Sequence, residues 1–168
     1  MDAMEAILTR RSIRRYTSKK IPTELTTELL RAAMSAPSAS NEQPWHFVVI
    51  DNHKILDEIP RFHPYSDMLP EAPMAILVCV DLLPEREGFA VQDGAAATQN
   101  LLLAAHAKGL GAVWLGIYPR EERIEGMRKL TYLPNHVVPH ALIALGYPAE
   151  KIPREDRYQP QRVHSNKW

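Results

Sequence analysis

Six basic side chains crowd residues 9–20, TRRSIRRYTSKK: Arg10, Arg11, Arg14, Arg15, Lys19 and Lys20, with no acid among them. Ser12 separates the two arginine pairs. Guanidinium forks beside a hydroxyl form a donor set suited to a phosphate monoester, because the fork is planar, bidentate and permanently charged. A plainer reading is a solvated helix end, where each cation gains about 0.3–1 kcal/mol from the helix dipole. That reading covers Arg10 and Arg11 but not Arg14 and Arg15, which lie beyond the expected helix end. A second stretch, SAPSASNEQPWHFVVI, sets small polar residues, two prolines and side-chain amides directly before a β-rich run. Such a loop offers free backbone donors and little bulk. It could lie against a flat heteroaromatic ring and bond its edge, or simply join a helix to a strand tightly.

These residues need a framework, and the chain is long enough for one. Its 168 residues suit a single domain with its own core. Hydrophobic residues make up 45% and charged residues 24%, ordinary for a globular protein. Twenty basic residues balance twenty acidic ones. No broad positive field is therefore expected, and neither nucleic acid nor a membrane surface is an expected partner. The single cysteine, Cys79, rules out an internal disulfide and reads as a small buried hydrophobe. The N-terminal residues do not read as a signal peptide, and no run reaches membrane-span length, so a cytoplasmic location is expected. The histidines show no metal-ligand spacing, so no metal site is expected.

Helices and strands alternate along the chain. DAMEAILTR reads as a helix capped by Asp2, with Glu5 at the capping-box position. Pro22 precedes a second helix, TELTTELLRAAMSA, with Leu25, Leu29, Ala32 and Ala33 on one face. WHFVVI is a strand, and NHKILDEI is a short helix capped by Asn52. MAILVCV is a strand buried on both faces. GFAVQDGAAATQNLLLAAHAKGLG is a long helix closed by Gly109 or Gly111. AVWLGI, REERIEGMRKL and HALIALGY follow as strand, helix and strand, the helix weakened by Gly126. From Pro148 the chain is polar and rich in proline and arginine. The expected organisation is one domain over residues 1–147 and an extended tail over 148–168. Strands with helices between them suggest a layered α/β sandwich. Neither a P-loop nor a three-glycine dinucleotide fingerprint is present, so a Rossmann site is not expected.

Together these segments resemble the FMN-dependent nitroreductase family over nearly the whole chain. RRSIRRY, APSASNEQPWHFVVI, DGAAATQNLLLAAHAKGLGAVWLG and ALIALGYPAE match its compact members in order and spacing. The resemblance implies an α+β fold: a three-layer α/β/α sandwich with a mixed, mainly antiparallel sheet. It implies FMN as cofactor, NADH or NADPH as transient electron donor, and a small-molecule acceptor such as a nitro compound or quinone. It implies ping-pong kinetics and a homodimer with two shared sites. Carried over residue by residue, Arg10, Ser12 and Arg14 hold the phosphate and ribityl chain, with Arg11 contributing and Arg15 a surface charge. Pro37, Ser38, Ala39 and Asn41 lie against the ring from the other subunit, with Gln43 supporting the loop and Trp45 beneath it. Trp114, Leu115 and Gly116 approach the pyrimidine and N5. Arg157, then Arg154, are the tail's phosphate ligands. The long helix carries the dimer interface around Ala95–Ala105.

One region departs from the pattern. Where longer members have a helical insertion and an asparagine near the flavin, RFHPYSDMLPEAP offers His63, Tyr65 and Ser66. No side-chain acid or base is demanded, so no catalytic residue is assigned. Three other readings stay open: a specialised flavin dehydrogenase, a flavin-binding protein without turnover, and a phosphate-binding module without flavin.

Overall fold

The computed structural model describes residues 1–82 and 88–168. Helix α1, Ala3–Thr9, begins where the Asp2 carboxylate accepts the Glu5 amide at 2.9 Å. Helix α2 spans Thr23–Met34 and buries Leu29 and Ala33 completely. Strand β1, Trp45–Ile50, leads to helix α3, His53–Leu56, capped by the Asn52 side chain on the Lys54 amide. Strand β2, Met74–Asp81, is buried along its whole length, as its unbroken apolar run requires. Helix α4 spans Ala90–Ala107, and Gly109 turns the chain with a left-handed φ of 77°. Strand β3 (Gly111–Gly116), helix α5 (Glu121–Thr131) and strand β4 (Val137–Gly146) complete the body.

The strands form one antiparallel sheet in the order β1-β2-β4-β3. Side chains alternate across it. Leu77, Cys79, Leu115 and Leu142 face α3 and α5, while Ile76, Val78, Ile143 and Leu145 face α2 and α4. The result is the expected three-layer sandwich. A single parallel bridge, Ser12 to Ala112, lays the basic segment along the β3 edge of the sheet. No helix among the described residues is long and apolar enough to cross a membrane.

Two orientations bear on the site. Pairing between β2 and β4 slips at Val78/Cys79, so His140 is an extra residue on β4. This bulge brings the His140 ring against α4, beside Gly94. The second orientation corrects an expectation: Ala97, read as an interface residue, is fully buried within its own chain. Helix α4 is apolar around more than one face, and its Ala97 face is taken by the sheet.

Residues 151–168 pack into no core and are exposed throughout. The tail is nevertheless held at its root. The Ala149 amide donates to the Arg15 carbonyl at 2.9 Å, and the Thr17 amide to the Tyr147 carbonyl at 2.9 Å.

Candidate functional site

The basic segment is fixed by one apolar anchor. Ile13 is buried against Gly111, and its amide donates to the Ala112 carbonyl at 3.0 Å. A Cβ on Gly111 would stand 2.6 Å from Ile13 Cγ2, so this approach needs glycine. The anchor divides the arginines. On one side Arg10 and Arg11 meet the tail, and with Arg154, Arg157 and Tyr158 they border a cavity of 260 Å³. On the other side Arg14 and Arg15 border a second cavity, of 560 Å³, with Tyr65 and Met68. Half-buried Ser12 lies at the bridge between them.

Arg10 and Arg11 differ in employment. The Arg11 Nε donates to the Pro153 carbonyl at 3.0 Å and its Nη2 to the Glu155 carbonyl at 3.3 Å, so Arg11 ties down the tail. Arg10 pairs with no acid among the described residues. Its pKa lies below the usual arginine value because it is partly buried, and secondarily because Arg157 and Arg11 stand near it. Glu155 and Asp156 border the same cavity, so its charge is mixed, and Arg10 is the guanidinium there that an added anion would meet. Arg157 is also paired with Glu155 at 3.2 Å, in solvent.

Around Arg14 and Arg15, Glu150 is committed to the backbone, accepting their amides at 2.6 and 3.1 Å. Their guanidinium groups carry no acid partner among the described residues.

The loop after α2 is a compact, left-handed turn. Ser40, Asn41 and Gln43 all have positive φ, at 49°, 56° and 48°. Non-glycine residues hold that region only when their surroundings enforce it. Here the Gln43 amide donates to Ser38 Oγ at 3.0 Å, and the Gln43 side chain to Asn41 Oδ1 at 2.9 Å. Gln43 thus braces the loop, as expected, and Trp45 is buried after it. Pro37, Ser38, Ala39 and Asn41 stay at the surface. The Ala39 amide donates to Asp93 Oδ1, in the first turn of α4, at 3.2 Å. Asp93 Oδ2 is buried without a hydrogen-bond partner among the described residues.

Distance separates these halves within one chain. Loop 38–41 is tied to Asp93, while the arginine segment is tied to the far end of α4 by a 2.8 Å contact between Thr9 Oγ1 and His106 Nε2. His106 lies thirteen residues along the helix from Asp93, about 20 Å.

The end of β3 forms a third group. Trp114 is half-buried, with its ring edge-on to His140 at 5.7 Å, and Leu115 is buried. The Gly116 carbonyl accepts two bonds, from His63 Nε2 at 3.1 Å and Arg123 Nη1 at 2.7 Å. His63 Nδ1 accepts the Tyr65 amide at 3.3 Å, which makes the ring neutral with its proton on Nε2. Burial, then the nearby Arg123 charge, lowers the His63 pKa and favours that form. His140 is buried with both ring nitrogens unpartnered among the described residues, and burial lowers its pKa. Its carbonyl accepts the Ile117 and Tyr118 amides at 3.3 and 3.1 Å, fixing the exit from β3.

The fold therefore gathers Arg10, Arg11, Arg154 and Arg157, and sets Arg14 apart with Tyr65. It keeps residues 37–41 at the other end of α4. Sequence reasoning missed Asp93, Arg123 and His140. Asp93 left a trace, as an acid inside an apolar helix; Arg123 had none among the many charges of α5.

The profile of the Nitroreductase family matches residues 7–62 and 60–147. A protein of Methanothermobacter thermautotrophicus, provisionally named NADH dehydrogenase/NAD(P)H nitroreductase, is 53% identical over 169 residues, covering 100% of this chain and 88% of its own. A provisionally named NADH dehydrogenase/NAD(P)H nitroreductase of Parabacteroides distasonis superposes with a TM-score of 0.95 at 41% identity, over 98% of both chains. A provisionally named nitroreductase of Desulfovibrio desulfuricans, solved in complex with FMN, gives 0.84 at 33% identity, over 100% of this chain and 99% of that one.

Proposed function

This chain belongs to the nitroreductase family, and from that premise we propose that it is an FMN-dependent oxidoreductase. It passes electrons from NADH or NADPH to a small-molecule acceptor, a nitro compound, a quinone or a related species. The observation that carries this reading is the cavity where Arg10, Arg11, Arg154 and Arg157 converge. Glu155 and Asp156 also border it, but the half-buried Arg10 guanidinium, with Arg157 and Arg11 near it and no ion-pair partner among the described residues, fits a phosphate dianion.

In this reading Arg10, Arg154 and Arg157 hold the FMN phosphate, Ser12 and Arg14 contact the ribityl side, and Arg11 keeps the tail in place. Pro37, Ser38, Ala39 and Asn41 lie against the ring, and Trp114, Leu115 and Gly116 border its reactive edge. When bound, FMN supplies hydride acceptance and electron return. The chain's part is binding, orientation and exclusion of water. Donor and acceptor use one place in turn, so steady-state kinetics are ping-pong. No side chain is assigned as acid or base.

The working unit is a homodimer in the cytoplasm. About 20 Å of helix separates Asp93, which holds the ring loop, from His106, which holds the arginine segment, a span that favours drawing the two from different chains. Each site then takes loop 37–41 from the second copy. An apolar groove of 370 Å³ among α1, α2 and α4, bordered by Ile7, Leu103 and Ala104, supports the same arrangement.

The absorbance spectrum of the purified protein, followed by anaerobic mixing with NADH or NADPH, tests the proposal. Bound FMN bleached by a nicotinamide supports it. Flavin that binds but is not reduced means a binding protein without turnover, and no flavin leaves a phosphate-binding module.

A further inference from the structure

We propose that Tyr65 is a specificity-determining residue, whose ring stacks against planar, electron-poor ligands, and that His63 is the positioning residue that holds it there. The inference rests on the flavin reading above and names the substrate class of that site.

Tyr65 combines two properties that rarely coincide. The residue is 69% exposed, yet its backbone amide is held. The Tyr65 amide donates to His63 Nδ1, and His63, only 1% exposed, donates from Nε2 to the Gly116 carbonyl. The buried Ser66 hydroxyl bonds the His63 carbonyl at 2.7 Å and closes the turn. Arg123 bonds the same Gly116 carbonyl and lies 5.5 Å from the centre of the Tyr65 ring. An exposed aromatic ring ordinarily drifts with its loop; here the backbone that carries the ring is tied through His63 to the end of β3.

Its position is marked from two independent sides. Through His63 and Arg123 the loop is attached to Gly116, at the proposed reactive edge. Across the 560 Å³ cavity Tyr65 faces Arg14, a proposed ligand from a different segment. Asp67 and Glu71 also border that cavity, so its charge is mixed and selection by charge alone is weak. Shape and π-electron character remain. A phenol ring is electron-rich, whereas nitroaromatic and nicotinamide rings are electron-poor, and the pair favours offset stacking.

The test uses FMN-loaded protein without reductant, titrated with 4-nitrobenzoate and with its saturated-ring analogue, binding being read from the flavin absorbance. Tyr65→Leu is expected to raise the Kd for nitrobenzoate about two- to tenfold, with little change for the saturated analogue. Tyr65→Phe should bind nitrobenzoate as the parent does. His63→Leu should reproduce the Tyr65→Leu loss, and His63→Gln, which can still donate to Gly116, should recover it. Equal nitrobenzoate affinity in the parent and Tyr65→Leu overturns the stacking role. Equal losses for both ligands in His63→Leu overturn the positioning role. Protein that holds FMN but gives no nitrobenzoate difference spectrum overturns this inference alone, whereas protein that holds no FMN removes the flavin reading and this inference with it.

Discussion

Arg10 and Arg11 are neighbours of identical type that the fold employs differently. Arg10 faces the cavity it shares with Arg157, and Arg11 spends its donors on tail carbonyls. Arg10→Ala should therefore weaken FMN binding by roughly 1.5–3 kcal/mol, the scale of a hydrogen bond to a charged group, and leave riboflavin affinity nearly unchanged. Fluorescence titration with both flavins checks this, and equal losses would remove the phosphate assignment. A second outcome concerns protons. Burial is the main cause that lowers His63, His106 and His140 below the ordinary 6.5, with Arg123 adding at His63 and Arg10 at His106. Above that value both folded and unfolded chains are neutral at these sites. Below it the unfolded chain binds protons that the folded chain refuses, so stability should fall as pH drops through 6.5 and level off below the folded values. Urea denaturation at several pH values reads the slope, and His140→Met should flatten it. The arginine cluster was legible because it sits in one short stretch. His140 was not, because a lone histidine acquires meaning only from the bulge that turns it inward.

At the scale of elements, Gly126 illustrates how local propensity misleads. Read from sequence, it weakens α5. In the structure a Cβ there would stand 2.4 Å from the Phe62 ring, so the glycine admits the residue that precedes the His63 turn. Gly126→Ala should therefore destabilise the protein by about 1–3 kcal/mol through overpacking, despite the roughly 1 kcal/mol that alanine offers a helix. A higher denaturation midpoint in this variant would show that Phe62 moves aside freely. The strands themselves were readable. WHFVVI coincides with β1, and MAILVCV falls one residue short of β2. The slip opposite His140 was not readable, since register depends on partners far away in the chain. Nor was the buried face of α4, where Ala96 and Ala97 look alike in sequence but Ala97 is buried and Ala96 only partly so.

On the proposed reading a single chain is only half of the working unit. Eighteen residues of tail lie in solvent, and Trp168 is wholly exposed. Ending the chain after Glu150 should cost flavin, dimer or both, as read by sedimentation and absorbance on one sample; a truncated protein that stays yellow and dimeric makes the tail dispensable. The interface itself is probed on the groove face of α4. Leu103→Glu places a charge there without opening the Ala97 layer, and it should give a folded, colourless monomer. A monomer that kept stoichiometric FMN would return the site to one chain. If neither chain can close the site alone, holding the cofactor becomes a second-order event. Dilution then bleaches the protein with no change in any ligand residue. By reciprocity, FMN tightens the pairing of the chains by the same factor that pairing tightens FMN. A cell short of flavin would hold this protein partly as separate chains, and a rise in FMN would draw them together.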